Sequence, residues 1–192
     1  MGYKTALGLV SIAMGAVAYA IYFWQTTRQQ RVQPHPFSWF LWGLVTCVAY
    51  LAQRQRGGGA GSWVTAFTGA VCFAIGVLSL LKHRRRFNAF DWASLGLGLG
   101  VFAFYLVAQD PTGSAIVATA TDLVGFAPTV HKGWLEPHRD SATSFTLNGL
   151  QFVPALFALD SYSLASWLFP ASLIAANAVV VAVLLVRRRQ VG

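Results

Sequence analysis

Seven apolar stretches, each near the ~20 residues that an α-helix needs to cross a bilayer, leave this chain few ways to fold. They cover residues 3–24, 37–53, 62–82, 91–108, 114–131, 144–159 and 162–186, with short polar loops between them. In hydrocarbon each backbone N–H and C=O must be satisfied internally, and a lone apolar run of this length does so as a helix. Charged residues make up 10% of the chain and hydrophobic ones 56%, with a mean hydropathy of +0.55. A soluble domain carries about 25% charged residues. The expectation is an all-α integral membrane protein with seven transmembrane helices.

The net charge of +8 does not point to nucleic acid, because the basic residues sit in short runs between apolar stretches. Eleven of the fourteen Lys and Arg residues fall in alternate loops on one side: Arg28, Arg31, Lys82, Arg84 to Arg86, Lys132, Arg139 and Arg187 to Arg189. Lys4, Arg54 and Arg56 fall on the other. The positive-inside rule then sets the N-terminus outside and the C-terminus in the cytoplasm, which requires an odd number of spans. Ala18-Tyr19-Ala20 resembles a signal-peptide cleavage site. The apolar run before it is long for that role, and Arg28 and Arg31 follow, so a retained first helix is expected. Short loops without sorting tails suit the bacterial inner membrane. Cys47 and Cys72 lie within apolar stretches, form no CxxC pair and read as small core residues.

The two halves repeat. Ser38 to Gly43 (SWFLWG) aligns with Ser144 to Gly149 (SFTLNG) at an offset of 106, and Pro34-His35 with Pro137-His138 at 103. Ser62-Trp63 aligns with Ser166-Trp167 at 104, and the arginines 84–86 with 187–189 at 103. Four matches in order imply a first three-helix repeat over 1–86, a linker helix over 87–110 and a second repeat over 111–192. An odd linker gives both triplets the same orientation, a parallel repeat.

This plan resembles the SWEET and PQ-loop transporters, and the nicotinamide-riboside transporters of the PnuC type. The local match is Pro128-Thr129-Val130-His131-Lys132-Gly133-Trp134 followed by Ser141 and Ser144, where the PQ-loop pattern has Pro-Gln, a basic residue, an aromatic and serines. Thr129 stands in place of the glutamine, and the first triplet has no proline in its first span. The resemblance implies a solute site lined by the third helix of each triplet, where Asn177 matches and Phe73 or Ala74 is its counterpart. It also implies that Asp122, near the proline helix, carries proton coupling. KDEL receptors share the plan, so the resemblance by itself leaves a sorting role open.

Asp122 is the one acid deep in a span, where a carboxyl group faces a cavity, a partner or an ion path, or bonds a neighbouring Ser, Thr or Asn. Asn148, Gln151 and Asn177 either line a polar pocket with it or hydrogen-bond across helix interfaces. Trp39 and Trp42, one helical turn apart, fit an interfacial belt or a platform for a sugar or nucleoside base. Trp24, Trp63, Trp92, Trp134 and Trp167 stand at span ends as belt residues. Pro128, Pro154 and Pro170 give each helix of the second triplet a proline, which marks them as candidate hinges. Gly96 and Gly100 form a small-xxx-small face suited to close helix packing.

His35, His83, His131 and His138 all fall on the inner side without metal-ligand spacing, so no metal or other cofactor is expected. No lysine lies mid-span to form a Schiff base, and nothing suggests an enzyme. The expected activity is transport of a small polar solute (a sugar, nucleoside, vitamin or amino acid) by alternating access, with proton coupling through Asp122. The alternative is a non-transporting receptor, sorting factor or accessory subunit. The expected partners are the solute, the lipid bilayer and a second copy of the chain. A polar cavity reaching Asp122, Asn148 and Asn177 favours transport, and a dry packed interior favours the alternative.

Overall fold

A computed structural model describes residues 2–27, 36–82 and 89–191, and these are helical with no strand among them. The helices are α1 (Tyr3–Thr27), α2 (Pro36–Gln55), α3 (Trp63–Lys82), α4 (Ala89–Ala108), α5 (Pro111–Leu135), α6 (Ala142–Leu150), α7 (Phe152–Phe157) and α8 (Leu164–Val191). Short 3-10 turns at Gly59–Ser62 and Pro137–Arg139 precede α3 and α6. Four segments are long and apolar enough to cross a membrane: Tyr3–Trp24, Gly59–Leu81, Pro111–Leu135 and Leu164–Val191. The outer faces of the helices carry large apolar side chains such as Leu81, Val107, Val124 and Phe157, all more than half exposed. Apolar exposure of that extent is foreign to a soluble monomer and suits contact with lipid. The chain is a helical membrane protein.

Helix ends follow local chemistry. Pro111 opens α5 with its fixed φ, and both Asp110 carboxylate oxygens accept backbone N–H groups, from Thr112 and Gly113, at 3.0 Å. Ser141 caps α6 by accepting the Ser144 N–H. Gly57, at φ +81°, ends α2, and the Gly58 N–H closes back on the Gln53 carbonyl at 2.7 Å. That left-handed turn is open to glycine without strain.

Helix α2 is the centre of the bundle, packed against α3, α4, α5 and α8. It is not among the four segments long and apolar enough to cross a membrane, and as the most surrounded helix it buries the polar Thr46 and Gln53. At the α2–α3 contact, Gly43 lies under the Phe73 ring and Gly76 under the Phe40 ring, so each helix receives a ring from the other. Helix α3 touches both α1 and α2, and α8 touches both α5 and α6–α7. Across the halves α1 packs on α6–α7, and α2 on α5. Helix α4 lies outside against α2 and α5.

Two expectations change here. Gly96 and Gly100 face open space; the close approach in α4 is made by Gly98, where an added Cβ would lie 2.9 Å from Leu44. The sixth apolar stretch is not one helix but two, α6 and α7, parted at Gln151. Pro154 lacks the N–H that the Leu150 carbonyl would accept, and α6 ends at Leu150.

Pro170 does not have this effect, and α8 runs through it without a break. The carbonyl that Pro170 leaves without its helical donor is that of Ser166. The buried Gln53 of α2 donates its Nε2 to that oxygen at 3.2 Å. A neighbouring helix thus replaces the lost bond, the usual way a membrane helix tolerates proline. Gln53→Leu should therefore destabilise the protein by about 1–3 kcal/mol, the effect of leaving a buried carbonyl unpaired. Adding Pro170→Ala should return most of it. A double-mutant cycle of thermal unfolding in detergent reads the coupling, and additive effects would show that Gln53 acts elsewhere.

Candidate functional site

Every helix except α4 contributes to the wall of one cavity of about 320 Å³. The lining residues recur at helical spacing: Tyr19 and Tyr22 on α1, Ser38, Trp39, Trp42 and Thr46 on α2, Thr68 and Cys72 on α3. Asp122, Phe126 and Thr129 follow on α5, and Leu173 and Asn177 on α8. Ser144, Phe145, Asn148, Gln151 and Phe152 come from α6, its break and the start of α7. Residues three or four apart share a helix face, so each helix turns a single stripe inward.

The cavity occupies one half of the bundle. It extends to Asp140 and Ser141, in the loop before α6, and to Ser38 in the first turn of α2. At this end Arg188 of α8 donates to the backbone carbonyls of Pro137 and Asp140, and Arg187 to that of Trp134. The opposite end is sealed by hydrogen bonds between the two halves. Asp160 and Ser161 both donate backbone N–H groups to the Gly57 carbonyl at 3.0 Å, and the Gly61 N–H donates to Ala158. Ser161 and Ser163 donate their hydroxyls to the Arg56 carbonyl. Lys4 Nζ donates to the Leu159 carbonyl at 2.7 Å and stands 3.7 Å from the Asp160 carboxylate.

Aromatic rings form one wall. Trp39 and Trp42 meet edge to face at 5.5 Å between centroids, Tyr22 lies 5.2 Å from Trp39, and Phe126 lies 6.4 Å from Trp42. The absence of a side chain at Gly125 lets the indole lie against α5, since a Cβ there would sit 2.8 Å from Trp42 Nε1. Trp39 is only 9% exposed, so these tryptophans face the interior rather than an interfacial belt. Trp24, Trp92, Trp134 and Trp167 remain exposed at helix ends.

Asp122 is 3% exposed, and its Oδ2 has no hydrogen-bond partner. Tyr19 and Tyr22 of α1 and Cys72 of α3 share the cavity wall with it. Gln151, fully buried, donates Nε2 to the Asn148 carbonyl and to Asn148 Oδ1, while its Oε1 has no donor. That oxygen faces Gly15 of α1, where a Cβ would come within 2.2 Å of it. Asn177 donates Nδ2 to the Leu173 carbonyl one turn back.

The structure gathers Asp122, Asn148, Gln151, Asn177, Trp39 and Trp42 around this cavity. The prolines divide: Pro154 accompanies the break between α6 and α7, Pro170 is buried within unbroken α8, and α5 continues through position 128, whose side chain lies outside the described residues. Cys72, not Phe73 or Ala74, joins Asn177 in the cavity lining from this turn of α3; Phe73 packs on Gly43. The sequence reading also passed over Tyr19, Tyr22, Thr68 and Phe126. A signal existed for Tyr19, because the offset of 103 that aligns Pro34 with Pro137 carries Tyr19 onto Asp122. His131 and His138 are exposed, His35 and His83 lie outside the described residues, and no metal-binding cluster occurs among the described ones. Aromatic faces, amides and one buried carboxylate around a cavity of this size are suited to holding a small organic molecule. No protein-family model, curated protein or solved structure matches the chain.

Proposed function

We propose that this chain is a transporter of a small organic solute, built from two parallel three-helix repeats that rock about a shared cavity. The observation that carries the reading is the cavity between the halves, walled by both triplets, holding a buried carboxylate and closed at one end by contacts between the triplets. In this reading the broken α6–α7 counts as one span, giving seven in all, with α4 as the linker.

Two features support the repeat. Packing in the first triplet runs α1, α3, α2, with the third helix in the middle, and in the second it runs α5, α8, α6–α7 in the same order. The α1 contact with α6–α7 has its counterpart in the α5 contact with α2. Cavity residues also pair between halves: Ser38 with Ser144, Trp39 with Phe145, Trp42 with Asn148 and Thr46 with Phe152, each 106 apart. Tyr19 pairs with Asp122 at 103, and Cys72 with Asn177 at 105. A site on the pseudo-twofold axis of a repeat, near mid-membrane, is what alternating access requires.

The arginine-rich end is then cytoplasmic, in keeping with the positive-inside rule, and the membrane is the bacterial inner membrane. The sealed Lys4–Asp160 end faces outward, so the conformation is open toward the cytoplasm. Asp122 is the site where a proton joins the cycle.

Uptake by proteoliposomes under an imposed pH gradient tests the proposal, with a panel of sugars, nucleosides, amino acids and small amines. Saturable, gradient-dependent accumulation of one class is the expected result. A folded protein that accumulates none of them would favour a receptor or accessory role.

A further inference from the structure

We infer that the cavity's ligand is a monovalent organic cation, an aryl- or alkylammonium of one to two rings, held between the Asp122 carboxylate and the Trp42 and Phe126 rings. The inference rests on the proposed transport site and narrows it to a substrate class. Among the described lining residues there is no Lys, Arg or His, although the chain carries a net charge of +8. An anion entering this cavity would meet Asp122 and no compensating cation. The field in the cavity selects against it.

The unpaired polar atoms refine the choice. Two acceptors on the wall, Asp122 Oδ2 and Gln151 Oε1, have no donor, and both belong to residues more than nine-tenths buried. The side-chain amides nearby have already committed donors to protein oxygens: Gln151 Nε2 to Asn148, and Asn177 Nδ2 to Leu173. Trp42 Nε1, a donor, and the Thr68 hydroxyl are also without partners on this wall, so the Asp122 carboxylate is what sets its charge preference. A buried charge without a partner is costly, and a bound ammonium both neutralises it and supplies the donors.

The aromatic wall completes the site. Phe126 lies one turn beyond Asp122 on α5, with Trp42 packed on it and Trp39 and Tyr22 behind. Ring faces attract cations, tryptophan most strongly, and the attraction grows when water is excluded. A cavity of about 320 Å³ is roughly twice the ~150 Å³ that holds a benzene ring. That leaves room for a ring, a short linker and an ammonium group.

Three probes with one skeleton decide the question: 3-phenylpropylammonium, 3-phenylpropan-1-ol and 3-phenylpropanoate. Binding to the full chain in nanodiscs is followed by calorimetry, with empty nanodiscs of the same lipid as the background for partition. The ammonium should bind at least about tenfold more tightly than the alcohol, and the carboxylate should not bind. The preference should vanish in Asp122→Asn and weaken in Trp42→Leu but not in Trp42→Phe. Equal binding of alcohol and ammonium, or no binding of either, would overturn the inference, as would a preference that survives in Asp122→Asn. The comparison in the unaltered protein stands even if the asparagine variant does not fold. Uptake of a neutral solute with no competition from the ammonium would sink this inference and leave transport intact. Ammonium binding without uptake of any solute would do the reverse.

Discussion

Asp122→Asn should abolish gradient-driven uptake of whichever solute the unaltered protein accumulates, while the protein still folds. Asparagine matches the shape of the carboxyl group but neither takes up a proton nor carries a charge, so α5 need not repack. Because Asp122 is 3% exposed and Oδ2 has no partner, the folded chain gains little from the charge itself. The melting temperature should hold or rise. Function should respond in the opposite direction. Losing one member of a buried charge pair forfeits about 3–5 kcal/mol, or at least about a hundredfold in affinity. On the proposed reading, one carboxylate cannot hold a proton and pair with an ammonium at once, so the two would compete and transport would be an exchange. The titratable groups that share the lining with Asp122 are Tyr19 and Tyr22 of α1, Cys72 of α3 and Asp140 in the loop before α6; α2, α6 and α8 present none to the cavity. Uptake that is equally driven in the asparagine variant would reduce Asp122 to a structural residue.

The helices were legible because length and apolarity alone require them in a membrane. Their rotations and breaks were less so. Trp39 and Trp42 fitted a belt or a binding platform equally well from spacing, and only the packing of α2 at the bundle centre turns them inward. Prolines were visible but their consequences were not. Pro154 sits beside a helix break while Pro170 is bridged by Gln53, a residue 117 positions away in sequence. No local pattern reveals whether a distant amide will reach an orphaned carbonyl. The same holds for the glycines of α4: Gly96 and Gly100 have the spacing of a packing face, yet Gly98 makes the contact. Asp122, Asn148 and Asn177 were easier, since polar groups within apolar runs need a polar place to go.

Gly61→Ala should open or destabilise the sealed end, and Gly100→Ala should do neither. Gly61 lies in the 3-10 turn before α3, pressed against the end of α7. An added Cβ there would lie 2.3 Å from the Ala155 carbonyl oxygen and 2.9 Å from the Leu159 backbone nitrogen. Those are main-chain atoms, so no side-chain rotation relieves the clash, and the triplets must separate or the protein must strain. Overpacking of this kind costs about 1–3 kcal/mol, roughly 2–12 °C in melting temperature for a chain of this length. Around Gly100 there is no atom within 4 Å of the new methyl group, so its substitution controls for helix propensity. Separation would also loosen the bond from the Gly61 N–H to the Ala158 carbonyl, exposing Ala158, which is fully buried in the sealed end. A cysteine at Ala158 should then react faster with a polar thiol reagent in the Gly61→Ala background than in the unaltered one. Faster labelling with a lowered melting temperature would identify this contact as the closed gate of the transport cycle. Unchanged labelling together with unchanged stability would mean that the end is not held shut by this packing, and the gate would have to lie elsewhere.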